Sequence, residues 1–248
     1  MRILMSSVMA VASVTAFAAD TAIERKLQDA MRAEIRTEAE LARDKNRKPV
    51  ETLSFCGLRD DMRVLEMLPG GGWYTKLLAP ALRENGELHV AIGVDNVREN
   101  LVTRNGFEHV NVIDIGVELK RTGPLRTINV EPFDFGITDV NLVLTFRNLH
   151  NFTPEGRAAV NAAVFTGLRS GGLYCVVDHT RRHMQALTGE NRRRSDPVMI
   201  IKELQAAGFE FVDFSDLHYR PDDELRYEVG RKTVTGNTDR FTLLFRRP

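Results

Sequence analysis

The stretch Thr145-Phe146-Arg147-Asn148-Leu149-His150-Asn151 follows a continuous apolar run. It sets four hydrogen-bonding side chains, Arg147, Asn148, His150 and Asn151, within five positions. A second apolar run, Val176-Val177, ends on Asp178 and His179. An imidazole titrates near neutral pH and can take or give a proton, while a neighbouring carboxylate fixes its orientation. Taken singly, Asn148 and Asn151 are ordinary loop caps and His150 an ordinary packing residue. Their density favours a site. Two histidines and a carboxylate could also hold a metal, but their spacing matches no metal motif, and no His/Cys pattern suggests zinc. No metal is expected.

A third stretch, Val64-Leu65-Glu66-Met67-Leu68-Pro69-Gly70-Gly71-Gly72-Trp73-Tyr74-Thr75, carries an acid, a glycine turn and then a helical pattern. Glycines there let backbone approach a ligand closely, and a helix start offers unpaired N–H groups. A glycine turn alone is also just a tight strand-to-helix connection. Its place after the first strand of an alternating chain gives it weight.

These residues need a scaffold, and the periodicity supplies one. Residues 21–45 place Ile23, Leu27, Ala30, Met31, Ile35 and Leu41 near helical spacing, predicting one amphipathic helix. Pro49 opens a short second helix that Gly57 ends. Strands are predicted over 63–68, 87–94, 110–115, 140–145, 173–177, 209–214 and 240–245, with helices over 73–82, 97–104, 154–168 and 197–207. Residues 116–136 form a long connection. Alternation of this kind implies a mostly parallel sheet with helices on both faces, and the last two strands an antiparallel edge hairpin.

The chain has 248 residues, with 34 Lys+Arg against 34 Asp+Glu. Zero formal charge argues against nucleic acid as the main partner, and a small-molecule substrate is expected. Residues 180–194 form a basic irregular segment carrying Arg181, Arg182, Arg192, Arg193 and Arg194, read chiefly as a solvated loop that could also attract an anion. Met1-Arg2, the apolar residues that follow and Ala16-Phe17-Ala18 read as a signal peptide over 1–18, cleaved after Ala18. The apolar run is too short to span a bilayer, so no membrane span follows cleavage. A periplasmic or secreted protein is expected, with a helical segment over 19–48 and an α/β domain over 49–248. Cys56 and Cys175 could pair in an oxidising compartment, but each sits in an apolar run and reads first as a buried free thiol.

From Pro49 onward the sequence resembles the class I S-adenosylmethionine-dependent methyltransferases, and more closely an exported, methyltransferase-like bacterial group. The resemblance rests on Pro-Gly-Gly-Gly-Trp-Tyr-Thr at 69–75, Thr-Phe-Arg-Asn-Leu-His-Asn at 145–151, Val-Asp-His at 177–179 and Thr-Asp-Arg-Phe at 238–241. It implies a Rossmann-like fold with a mostly parallel seven-stranded sheet and S-adenosylmethionine as the methyl donor. The donor would sit against Glu66, Pro69, Gly70, Gly71, Gly72, Trp73 and Tyr74. Asp95 would take the ribose and Asp114 the adenine. Arg147, Asn148 and Asn151 would face the acceptor, with His150, Asp178 and His179 catalytic. Two departures stand out: Leu68 and Pro69 interrupt the acid-x-Gly-x-Gly-x-Gly pattern, and Asp95 lies late for its strand. The same crevice would also suit a small-ligand-binding or sensor protein without methyl transfer, or a different enzyme using the histidines.

Overall fold

The computed structural model describes residues 22–117 and 119–248. The signal-peptide reading and its cleavage site lie outside them. Residues 22–31 form helix α1, followed by α2 (Glu38–Leu41), α3 (Asp44–Arg47) and α4 (Pro49–Phe55). The single helix expected over 21–45 is therefore broken. α1 ends at residue 31, residues 32–36 form turns, and Thr37 then caps α2 in a capping box with Glu40. The first strand, β1 (Arg63–Met67), leads through the glycine turn into α5 (Thr75–Leu82). Then come β2 (Glu87–Ala91), α6 (Asp95–Asn100) and β3 (Asn111–Ile113). The long connection holds two short strands, β4 (Arg121–Thr122) and β5 (Thr127–Ile128), paired antiparallel. After it follow β6 (Val140–Phe146), α7 (Pro154–Gly167), β7 (Leu168–His179), α8 (Pro197–Ala206), β8 (Glu210–Ser215) and β9 (Arg240–Arg246).

The seven main strands form one sheet in the order β3-β2-β1-β6-β7-β9-β8. The first five run parallel, while β9 lies antiparallel between β7 and β8. The closing pair is thus an antiparallel edge in which the last strand inserts inside its predecessor. Alternation along each strand sorts side chains to two cores. Val64, Leu142, Leu144 and Val177 pack with α5 (Leu77, Leu78, Leu82) and with Ile23 and Leu27 of α1. Leu65, Val143, Tyr174 and Val176 pack with α7 (Val160, Val164) and α8 (Ile200, Leu204) on the other face. The N-terminal segment is built into the first core.

Helices start where the sequence places their caps. Thr153 accepts from the Gly156 N–H at the head of α7, and Asp196 accepts from Val198 and Met199 at the head of α8, each with proline at the first helical position. One expectation is corrected: Cys56 and Cys175 are not free thiols but a disulfide, Cα–Cα 5.5 Å, joining the end of α4 to the middle of β7. Each lies in an apolar run because the bond is buried within the first core.

Strand order reverses between β1 and β6, and the crevice of an open α/β sheet lies at such a point. Register aligns Met67 with Thr145 and Phe146 with Val177, so three strand ends finish side by side.

Candidate functional site

The backbone along the strand ends is unusual. Leu68, Ile92 and Arg147, each just past β1, β2 or β6, adopt φ of 51°, 64° and 65°. Non-glycine residues rarely occupy this left-handed region, a β-branched one least of all, and such strain concentrates at functional sites. Leu68 stands where the resemblance would put a glycine. It holds the conformation a glycine would adopt freely, and its side chain and that of Pro69 line the cleft.

The glycine turn borders a cavity of about 230 Å³ between β1 and the end of β6. Glu66, Pro69, Gly70, Gly71, Trp73 and Tyr74 all line it. A Cβ added at Gly70 would meet nothing within 4 Å, so the backbone there faces open space. Gly72 differs: its Cβ would lie 2.8 Å from Leu101 Cδ2, so this glycine serves packing against the end of α6. Glu66 is buried and accepts a 2.6 Å hydrogen bond from the Thr75 hydroxyl. Burial pushes its carboxyl up to about 7, against the opposing pull of Thr75 and Arg47. Trp73 donates to the Glu40 carbonyl (3.1 Å) and carries the Arg47 guanidinium 4.2 Å from its ring centroid. Tyr74 stacks on Phe146 with centroids 3.6 Å apart. Both aromatics thus fasten the N-terminal helices over the turn.

Asp95 and Asp114 border a separate hollow of about 260 Å³. Its walls include Ile92, Ile113, Ile115, Val117 and Leu119. Both carboxylates are exposed, and Arg98 lies 3.8 Å from Asp95 and 3.6 Å from Asp114. A slot with aliphatic side chains in its walls and Asp95, Asp114 and Arg98 lining it suits a flat base joined to a hydroxylated sugar. With the open backbone at Gly70, the residues present fit a nucleoside donor.

Asn148 donates to the Met67 carbonyl at 3.1 Å and so ties the end of β6 to the end of β1. It lines the smaller cavity, whereas Asn151 lines a larger one and accepts from Arg121 at 3.0 Å. The larger cavity, about 800 Å³, also holds His150, His179 and Thr238. Asp178 is fully buried beneath it and accepts three hydrogen bonds: from the His150 N–H (2.8 Å), the His179 N–H (2.7 Å) and the His150 ring at Nδ1 (2.5 Å). Held at Nδ1 by this carboxylate, the ring keeps Nε2 as its remaining polar atom. The two imidazole centroids lie 5.7 Å apart. His179 bonds through Nδ1 to the Thr238 hydroxyl (2.9 Å). Burial, then His150 and nearby arginines, hold it well below 6.5, so it is neutral at physiological pH.

Sequence reasoning missed the charge of this cavity. Arg43, Arg47, Arg121, Arg126, Arg147, Arg192, Arg193 and Arg240 line it, and no aspartate or glutamate is among its lining residues. Arg43 and Arg47 come from the N-terminal segment read as helical, and lie at the start and end of α3 rather than on one long helix. Arg240 begins β9 in the Thr-Asp-Arg-Phe stretch, the one available signal. The basic segment 180–194 is only partly a solvated loop. Arg194 is buried against Asp223 (2.9 Å), while Arg192 and Arg193 face the cavity and pair with Glu228.

No protein-family model and no curated protein matches the chain. Solved structures do. A SAM-dependent methyltransferase from Aquifex aeolicus is 15% identical over 84% of this chain and 93% of its own, with a TM-score of 0.57. The 1,6-didemethyltoxoflavin-N1-methyltransferase of Burkholderia thailandensis is 14% identical over 98% and 93%, with a TM-score of 0.54. The [4+2]-cyclase SpnF is 16% identical over 82% and 80%, with a TM-score of 0.52. At such identities the likeness establishes architecture, not chemistry. The chain has the Rossmann-like fold found in SAM-dependent methyltransferases.

Proposed function

We propose that this protein is an exported S-adenosylmethionine-dependent methyltransferase acting on a small molecule. One observation carries the reading: the hollow suited to a nucleoside lies past the ends of β2 and β3 and the His150–Asp178 pair at the ends of β6 and β7, along one edge of the sheet with the β1 glycine turn between them. Glu66, the Gly70 backbone, Asp95 and Asp114 would hold the donor. When bound, the donor supplies an electrophilic methyl on a sulfonium that departs as a neutral thioether. His150 Nε2 takes the acceptor's proton, and Asp178 steadies the imidazolium that results. Asn148 keeps the two strand ends in register. Arg147 and Asn151 position the acceptor. Catalysis is then largely alignment plus one proton transfer.

Export rests on the Ala16-Phe17-Ala18 pattern, and the Cys56–Cys175 disulfide supports it, since such bonds persist in oxidising compartments. Mass measurement of the N-terminus checks this, and intact Met1 on cytoplasmic protein would refute it. Leu68 and Pro69 at the mouth of the smaller cavity favour a second reading, in which the crevice binds a nucleoside without methyl transfer. Calorimetric titration with S-adenosylmethionine and S-adenosylhomocysteine, followed by transfer of labelled methyl from the donor, separates the two. Micromolar binding with transfer supports the first; binding alone supports the second; no binding overturns both.

A further inference from the structure

The chain balances its charges overall, yet eight arginines converge on one cavity of about 800 Å³. Only Arg192 and Arg193 have a carboxylate within ion-pair distance among the described residues, and of the other six, Arg47, Arg147 and Arg240 are buried or half-buried. Arg47 is 4% exposed and Arg240 8%. Arg47 lies against Trp73 through its ring face. Arg240 spends one nitrogen on the Asn46 carbonyl, and its Nε is buried without a partner. Charged guanidinium groups are costly to bury unpaired, and like charges gathered together raise that cost. Burial and the charge of Arg147 together hold Arg47 down to about 9 and Arg240 down to about 10.

We infer that this cavity binds a small molecule bearing two or more oxyanionic groups, phosphate or carboxylate, held by Arg47, Arg147 and Arg240. Its volume suits a small metabolite. Planar guanidinium forks match carboxylate and phosphate oxygens, and the anion supplies the countercharge the fold omits. Arg121 and Arg126, exposed on the β4–β5 connection, steer it inward. Its role as the methyl acceptor rests on the reading above, because only then does His150 in the same cavity meet its nucleophile.

The test is calorimetric titration of the purified protein at 0.15 M NaCl with inorganic pyrophosphate and, separately, with citrate. A parallel titration uses S-adenosylhomocysteine. Saturable binding of at least one anion is expected; the pyrophosphate arm identifies phosphate and the citrate arm carboxylate. Arg147→Gln should weaken anion binding about 10- to 100-fold, the loss typical of a hydrogen bond to a charged group. It should also raise the melting temperature of the unliganded protein, which a purely structural arginine would not do. Arg121→Gln/Arg126→Gln, on an exposed connection, gives a second variant whose anion affinity should fall and lose part of its salt dependence. Absence of saturable binding by either anion, or binding indifferent to both variants, overturns the inference. S-adenosylhomocysteine binding without anion binding overturns this inference alone. Anion binding without S-adenosylhomocysteine binding leaves the anion site standing and overturns the donor site.

Discussion

His150 and Asp178 are joined at two points, backbone N–H to Oδ2 and ring Nδ1 to Oδ1, so position and tautomer of the imidazole are set by one carboxylate. The pair links the turn just past β6 to the end of the neighbouring parallel strand β7. His150→Asn should therefore cost about 10²- to 10⁴-fold in turnover, the usual loss for a general base, with S-adenosylhomocysteine affinity nearly unchanged. Asp178→Asn should lose turnover similarly and also destabilise the fold by roughly 1–3 kcal/mol, because an amide cannot accept all three buried bonds. Single-turnover kinetics beside thermal melts checks both. Undiminished turnover in a folded His150→Asn protein would make His150 a packing residue.

Two glycines in one turn should respond differently. Gly70→Ala meets open space and pays only for its left-handed backbone (φ 57°), about 1–2 kcal/mol. Its methyl projects toward the cleft, so donor affinity should drop more than stability. Gly72→Ala drives its Cβ against Leu101 and carries φ 76°, so stability should fall further. Melting curves and donor titrations on both variants give the comparison. Equal effects on both quantities would show that the turn serves folding alone.

Much of the fold was legible because its signals are local. Continuous apolar runs marked β6 and β7, the stretch 63–68 marked β1, and Thr153-Pro154 and Asp196-Pro197 marked helix starts. His150 and Asp178 were legible as neighbours because each ends a strand and parallel strands end together. The arginine cavity was not. Arg47 and Arg240 lie far apart in sequence and meet only through tertiary packing, each looking like ordinary surface charge in its own segment. The disulfide was hidden for the same reason: 119 positions separate two cysteines whose surroundings read as core. The single helix over 21–45 failed because apolar spacing carries on past residue 31, while turns over 32–36 and a capping box at Thr37 start a new helix.

The Cys56–Cys175 bond closes a loop long enough that cross-linking should restrict the unfolded chain strongly. Loss of such a bridge typically costs about 2–5 kcal/mol. Cys56→Ala/Cys175→Ala should melt well below the parent, and a reductant should lower the parent's melting temperature while leaving the double variant unmoved. Denaturant titration in both redox states measures it. Identical midpoints in both states would mean that the bond adds nothing to stability.

His218 and Glu66 should pull stability in opposite directions with pH. His218 is 2% exposed, with Nδ1 2.8 Å from the Thr242 hydroxyl and Nε2 3.0 Å from the Arg47 carbonyl. The Arg47 carbonyl needs Nε2–H as its donor, while the Thr242 hydroxyl can serve Nδ1 either way, so it is burial that disfavours the charged ring. Burial holds the folded group down to about 4 against 6.5. The unfolded chain therefore binds the proton first on acidification. The contribution is whole above pH 6.5 and is lost as pH falls toward 4, about 3 kcal/mol in all. Glu66 works the other way. Its carboxyl is raised from 4.5 to about 7, so the folded state keeps a proton that the unfolded chain releases. Its contribution is whole below pH 4.5 and is lost as pH rises through 7, again by about 3 kcal/mol. Glu66→Gln, which cannot ionise, should thus gain on the parent steadily between pH 4.5 and 8, while its donor affinity falls. His218→Asn should show its largest penalty above pH 6.5 and a shrinking one toward pH 4. Denaturant melts of the three proteins across pH 4–8 provide the measurement. A Glu66→Gln difference flat with pH would mean that Glu66 is ionised in the folded protein, with a partner for its charge already built in.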